Sequence, residues 1–317
     1  MLNQVQIEVL VPGTVALPIS VRTLGIVDSS YLYDPPDPTN EQTQNYLTRI
    51  HLSKSDLVGS TISGFTDVIE VSPRFEYKMI KPTDFGISDT SMHPGLSDWE
   101  RIQLLCHDSA VDALIILKYF DIYDPLFVGL DPGEGEGSGY YISVRNSWRI
   151  YDPSEMEIID EYTNTDSTYS YSEDDFFEFL LGVASNRKTE LTEACFWSGQ
   201  KYAFRITPLW EEVTRNYYTW PGELSNRAKQ FATKGDWLSA AWLWNQETGN
   251  EKVKTAARAC FNMALASEVE DKLELALYWA RRSDTLVPNR IVTLDYIELL
   301  LDRLKERKEL DQQMGNQ

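Results

Sequence analysis

The chain has 317 residues, of which 49 are acidic and 29 basic, giving a formal net charge of −20. That balance argues against a nucleic-acid binder, since phosphate contact runs on clustered Lys and Arg, and it disfavours contact between the folded body and an anionic membrane. The length suffices for two domains with separate cores, and 42% hydrophobic with 25% charged residues is the composition of a globular chain.

Cys106, Cys195 and Cys260 lie far apart with no CxxC spacing, which points away from a zinc site and from a disulfide framework. No apolar run approaches the length of a transmembrane helix. The opening MLNQVQIEVLVPG has neither a basic leader nor a cleavable apolar stretch, so the expectation is a cytosolic protein or one trimmed of its targeting segment.

Gln4 to Val11 alternates Val5, Ile7, Val9 and Val11 with polar residues and predicts a strand with one wet face. Arg22 to Asp28 reads as a second, more buried strand. Tyr31 to Asn40, with its prolines, is a loop. Val58, Ile62, Phe65 and Ile69 recur at helical spacing over 56–69, with Ser55 available as N-cap, although Gly59 and Gly64 weaken that helix. Phe75 to Ile80 is a short strand. Ser97 and Glu100 form a capping box for a helix running to about Ser109.

The stretch VDALIILKYFDIYD, Val111 to Asp124, is the expected centre of the fold. Its continuous apolar run, rich in β-branched and aromatic residues and stopped by proline, predicts a strand near 112–123 buried on both faces. A glycine-rich loop follows, and then two antiparallel strands, YYISVRNSWRIYDP and EMEIIDEYTNTD, joined at 151–154. Ser172 with Asp175 resembles another capping box, opening a helix with Phe176, Phe177 and Phe179; a second helix is expected over 190–204. Pro208 to Tyr218 reads as a last edge strand.

Beyond Trp220-Pro221-Gly222 the period turns helical and stays so. Gly235, Trp237, Ala240 and Trp244 fall where a tetratricopeptide repeat places its Gly, aromatic, small and second aromatic residues. Asp271, Leu273, Ala276, Ala280 and Pro288 align as a second, degraded unit, with Ala240 and Ala276 36 residues apart, and 291–310 as a capping helix. The expected fold class is α+β: a mixed-sheet α/β sandwich-type domain over 1–219, then a small all-α tetratricopeptide-like tail over 222–317.

Each chemical constellation has a plainer reading. Gly133, Gly135, Gly137 and Gly139 precede a strand and sit among glutamates, which disfavours a phosphate cradle; the loop's carboxylates with Asp131 offer at most a weak Ca²⁺ site. His51, His93 and His107 show no metal or triad spacing, and the adjacent Cys106 and His107 point apart on a helix. Asp174-Asp175 and Glu211-Glu212 are ordinary in an acidic chain. Trp237, Trp242, Trp244 and Trp279 read first as helix-packing core. No catalytic residue, metal or cofactor is expected.

With these residues placed, the chain resembles the α/β domain of bacterial envelope lipoproteins, such as curli-assembly lipoproteins and penicillin-binding-protein activators. It is more specifically similar to a family of Bacteroidetes envelope lipoproteins that join such a domain to a tetratricopeptide-like tail. The segments carrying this are QIEVLVPGTVALPISVRTLGIVD, SWRIYDP, YAFRITPLWEEVTRNYY and NMALASEVEDKLELALYWARRS. The resemblance implies an envelope location, periplasmic or outer-membrane, with a lipid-bearing Cys upstream of residue 1 as the only membrane attachment.

The function so implied is a non-enzymatic binding or scaffold module for a protein or peptide of the envelope. The alternatives are a glycan-processing hydrolase with unplaced carboxylates, or a cytosolic adaptor holding a peptide in its repeats. Likeness to tetratricopeptide domains puts Lys229, Arg258 and Asn262 near the groove, where they would receive a partner's carboxylates. Their plainer role is pairing with neighbours such as Glu223 or Glu251.

Overall fold

The computed structural model describes residues 1–30, 52–81, 95–123, 126–130, 136–172 and 176–315. The chain is α+β and divides into two compact units, residues 13–207 and residues 1–12 with 208–317.

The first unit contains the mixed sheet. Strands β2 (Thr23–Asp28), β3 (Glu76–Ile80) and β4 (Ala113–Tyr123) are parallel, in the order β3-β2-β4. Next to β4 runs the long antiparallel β6 (Glu136–Asp152), which also pairs with β5 (Leu126–Leu130) and, along its other edge, with β7 (Glu157–Ser172). The apolar run of β4 makes it the centre as expected: Ala113 to Leu117 are each 0% exposed, between a parallel neighbour and an antiparallel one. The register shifts at Lys118, where the apolar run ends.

Helix α1 (Lys54–Val71) is capped by Ser53, not Ser55: the Ser53 hydroxyl accepts from the Asp56 N–H and the Asp56 carboxylate returns the bond to the Ser53 N–H. Helix α2 (Leu96–Ser109) also starts earlier than expected. Its N-cap is Gly95, whose N–H is held by Asp98, so the Ser97/Glu100 box is not the one used. The two helices expected after β7 are one, α3 (Phe176–Ile206), because no proline interrupts the stretch. The loop at 31–40, the Asp174-Asp175 pair, the second capping box at Asp175, and Asp131 with Gly133 and Gly135 lie outside the described residues. Gly137 and Gly139 belong to β6 and pair with β5.

One face of the sheet packs Val27, Leu114, Ile116 and Tyr151 against Trp99, Ile102 and Cys106 of α2. Trp148 projects oppositely and stacks on Phe65 of α1 and Tyr202 of α3, at 5.0 and 5.1 Å between ring centroids. Helices α1 and α3 cross at two glycines. A Cβ on Gly64 would lie 1.9 Å from the Phe196 carbonyl oxygen, and one on Gly199 1.8 Å from that of Thr61. Gly64, which reads from the sequence as a flaw in the helix, is required for this backbone approach.

In the second unit β1 (Leu2–Val11) pairs antiparallel with β8 (Leu209–Tyr218) without a register shift. Five helices follow: α4 (Glu223–Thr233), α5 (Trp237–Glu247), α6 (Val253–Val269), α7 (Leu273–Leu286) and α8 (Ile291–Met314). Ile7, Val9, Tyr217 and Trp220 share a core with Ala228, Ala240, Leu243, Trp244 and Leu265. The division therefore differs from the one expected at 219–222, because the dry faces of β1 and β8 lie on helices. Trp220-Pro221-Gly222 is a joint inside this unit, where buried Trp220 donates its N–H to Ser225 Oγ.

The helices form two hairpins related by a shift of 36 residues. Gly235 and Asp271, 36 apart, both turn their hairpin with positive φ, at 77° and 55°. Ala228 and Ala264, and Ala240 and Ala276, are equivalent pairs, all 0% exposed. Small side chains at these positions let the helices approach.

Candidate functional site

Helix α6 has few breaks in its burial, and the face carrying Arg258, Asn262 and Glu268 meets strand β8. The geometry begins with strand parity. The Thr219 N–H donates to the Met1 carbonyl, so that pair is hydrogen-bonded; such pairs alternate along an antiparallel ladder, and the Tyr218 main chain must face away from β1. Asn262 takes both groups: its Oδ1 accepts from the Tyr218 N–H and its Nδ2 donates to the Tyr218 carbonyl, each at 2.7 Å. One side-chain amide thus stands in for a further strand at the end of β8. The Tyr218 ring lies beneath the guanidinium groups of Arg258 and Arg290, at 5.6 and 5.8 Å.

Three residues earlier on β8, Arg215 points to the dry side with Val213 and Tyr217. Its Nε and Nη2 grip the fully buried carboxylate of Glu268, at 2.9 to 3.0 Å. The Tyr296 hydroxyl of α8 donates to Glu268 Oε2 at 2.7 Å, and Arg303 Nη1 stands 3.5 Å from Oε1. Burial, and then the Glu268 charge, push the Tyr296 hydroxyl well above its usual range, so it stays a neutral donor. A carboxylate held by an arginine fork, a phenol and a second arginine is a structural acceptor, with its oxygens already occupied.

The expected partner-binding residues are therefore not brought together as one open surface. Asn262 is 0% exposed and engaged with Tyr218; Arg258 is half-buried over the same residue; Lys229 is exposed on α4. On the α6 face expected to receive a partner, Asn262 is bonded to the chain's own β8. Sequence reasoning missed Arg215, Glu268, Tyr296 and Arg303. The signal for the first was an arginine at a dry position of the alternating β8, which calls for a buried acid.

The other candidates are placed plainly. His51 and His93 lie outside the described residues, and His107 is an exposed ring 3.2 Å from Asp108. All three cysteines are free and buried, and burial pushes the thiols of Cys106 and Cys195 up to about 12. Glu211 and Glu212 are exposed on β8. Among the described residues no group of three His, Cys, Asp or Glu side chains is arranged for a metal ion, and no helix is long and apolar enough to cross a membrane. Of the four tryptophans in the tail, Trp244 is core, Trp237 and Trp279 are half-buried, and Trp242 is exposed.

Comparison with known proteins gives families and distant likenesses. No curated protein matches the chain. Among solved structures it is similar to the PelC dodecamer from Paraburkholderia phytofirmans (9% identity over 65% of this chain and 98% of that one, TM-score 0.25). It is also similar to a neuraminyllactose-binding hemagglutinin homolog from Helicobacter pylori (10% identity, 59% and 92% covered, TM-score 0.26). Lipoprotein GNA1162 from Neisseria meningitidis is a third (12% identity, 54% and 99% covered, TM-score 0.20). Likeness at these scores carries nothing about what the chain does. Residues 226–306 match a family described as Domain of unknown function (DUF6340). Residues 21–218, more than half of the sequence, match another, and the chain belongs to that family, Domain of unknown function (DUF8603).

Proposed function

We propose that the protein is a non-enzymatic binding or scaffold module of the bacterial cell envelope, lipid-anchored, whose tetratricopeptide-like helical unit docks a protein partner. The 36-residue shift between hairpins supports the repeat reading. In it the inward face is committed to β8, which leaves the outward helices for a partner.

The observation that carries this is a pair of large aromatics at equivalent outward positions. Trp242 on α5 is 66% exposed and Tyr278 on α7, 36 residues on, is 53% exposed. Exposed Trp and Tyr contribute disproportionately to binding when a partner covers them. Beside Tyr278 stand the exposed Arg281 and Arg282, cations in a chain of net charge −20, with Arg282 5.3 Å from the Trp279 ring. Aromatics flanked by arginines fit a protein segment that presents carboxylates.

A pull-down from envelope extract tests the reading, using the intact chain and Trp242→Ala/Tyr278→Ala. One acidic partner retained by the wild type and lost by the double variant is the expected result. Equal retention would move the site to the α/β unit; failure to retain any partner would contradict a binding role. Fractionation of the native gene product, expected in the envelope with a lipid modification, tests the location.

A further inference from the structure

A cleft of about 330 Å³ opens in the α/β unit where the end of α2 meets the β6–β7 turn and the entry to β4. Gln103, Cys106, Asp112 and Asp152 are among its lining residues, and none of that lining is Lys or Arg. Asp152 is 1% exposed. Its Oδ1 builds the turn, accepting from the Ser154 N–H (2.8 Å), the Ser154 hydroxyl (2.6 Å) and the Glu155 N–H (3.3 Å). Its Oδ2 is buried and has no hydrogen-bond partner.

Asp112 approaches from the other side, where its Oδ2 ties down the Arg22 and Thr23 amides. The two carboxylates line the same cleft as the Cys106 thiol, which is 3% exposed and is raised first by burial and then by the charges of Asp112 and Asp152. Gln103, the side-chain amide of the lining, donates its Nε2 to the Pro153 carbonyl. A buried carboxylate oxygen without a donor is costly, and a donor entering from solvent would relieve it.

We infer that this cleft binds a cationic N–H donor, a guanidinium or primary ammonium group, with Asp152 Oδ2 as its acceptor and Asp112 as the second charge. The strongly negative chain would also draw cations towards it. This goes beyond the partner reading of the helical unit and is independent of it.

Calorimetric titration of the full chain with methylguanidinium chloride at fixed ionic strength tests the site, with tetramethylammonium chloride as a cation lacking N–H groups. Saturable binding of the first and none of the second is expected. Asp152→Asn, which keeps a turn-forming oxygen, should weaken binding about tenfold or more, about 1.4 kcal/mol. Glu155→Gln removes the same charge from an exposed neighbour and should leave binding unchanged. Should Asp152→Asn not fold, Ser20→Arg places a tethered guanidinium at the mouth and should abolish binding with Asp152 intact.

Acetyl-Gly-Arg-Gly-amide separates the two sources of such a group. Peptide binding at least as tight as methylguanidinium assigns a protein side chain, and weaker peptide binding a small free molecule. Equal binding by wild type and a folded Asp152→Asn would overturn the inference. So would absence of saturation, equal response to tetramethylammonium, or response to Ca²⁺ alone.

Discussion

Strands β4 and β8 are held by opposite means. β4 is placed by its own composition: five consecutive apolar residues, all 0% exposed, with a paired strand on each side. β8 has an exposed wet face bearing Trp210 and Glu212, and its dry face includes an arginine. What fixes it are polar side chains 44 to 53 residues away in sequence, Asn262 on Tyr218 and Glu268 on Arg215. Apolar burial is forgiving about partners, whereas a buried charge or amide edge admits few. The first strand is therefore robust to single polar changes around it, and the second depends on two residues of one helix.

Substitutions that remove the polar grip should show that difference, beginning with the largest effect. Glu268→Leu leaves Arg215 and Arg303 without their buried anion and should cost about 3–5 kcal/mol in urea denaturation. Arg215→Leu/Glu268→Met, which removes that pair together, should recover part of the loss, since Arg303 and Tyr296 still lack their acceptor. Asn262→Ala strips the donor and acceptor from Tyr218 and should cost about 2 kcal/mol, water reaching the half-buried tyrosine offsetting part of it. Arg258→Ala loses the stacking over Tyr218 and should cost about 0.5–1 kcal/mol, since Arg290 still covers the ring. Lys229→Glu, on an exposed position, should change stability by less than about 0.5 kcal/mol. A loss of 2 kcal/mol there would mean that Lys229 belongs to a contact the comparison leaves out.

Much of the fold was legible. The alternation of β1, the apolar run of β4, the β6–β7 hairpin (expected to turn at 151–154, turning at 153–156) and the helical tail with its 36-residue shift each follow from a local pattern. Caps were legible only to within two residues, since Ser53, Ser55 and Ser97 are chemically alike and the backbone chooses among them. Gly64 and Gly199 were opaque: a glycine required by a crossing helix looks in sequence like a weak point. The pairing of β1 with β8, 216 residues apart at Leu2 and Tyr218, leaves no local trace, so the unit boundary fell elsewhere than expected. For the candidate site, the repeat alignment expected a partner at Arg258 and Asn262, which lie on Tyr218 of the same chain. It could not show what fills that face, because the occupant is a strand more than forty residues earlier in the chain.

The central claim is that α6 grips β8 through Asn262. Native-state hydrogen exchange at the Tyr218 amide tests it most directly, because this N–H faces away from β1 and its acceptor is Asn262 Oδ1. The account predicts slow exchange at Tyr218 in the wild type. In Asn262→Ala, Tyr218 should exchange fast while the Tyr217 amide, directed at β1, stays protected. Fast exchange at Tyr218 in the wild type, or unchanged protection in Asn262→Ala, would contradict it.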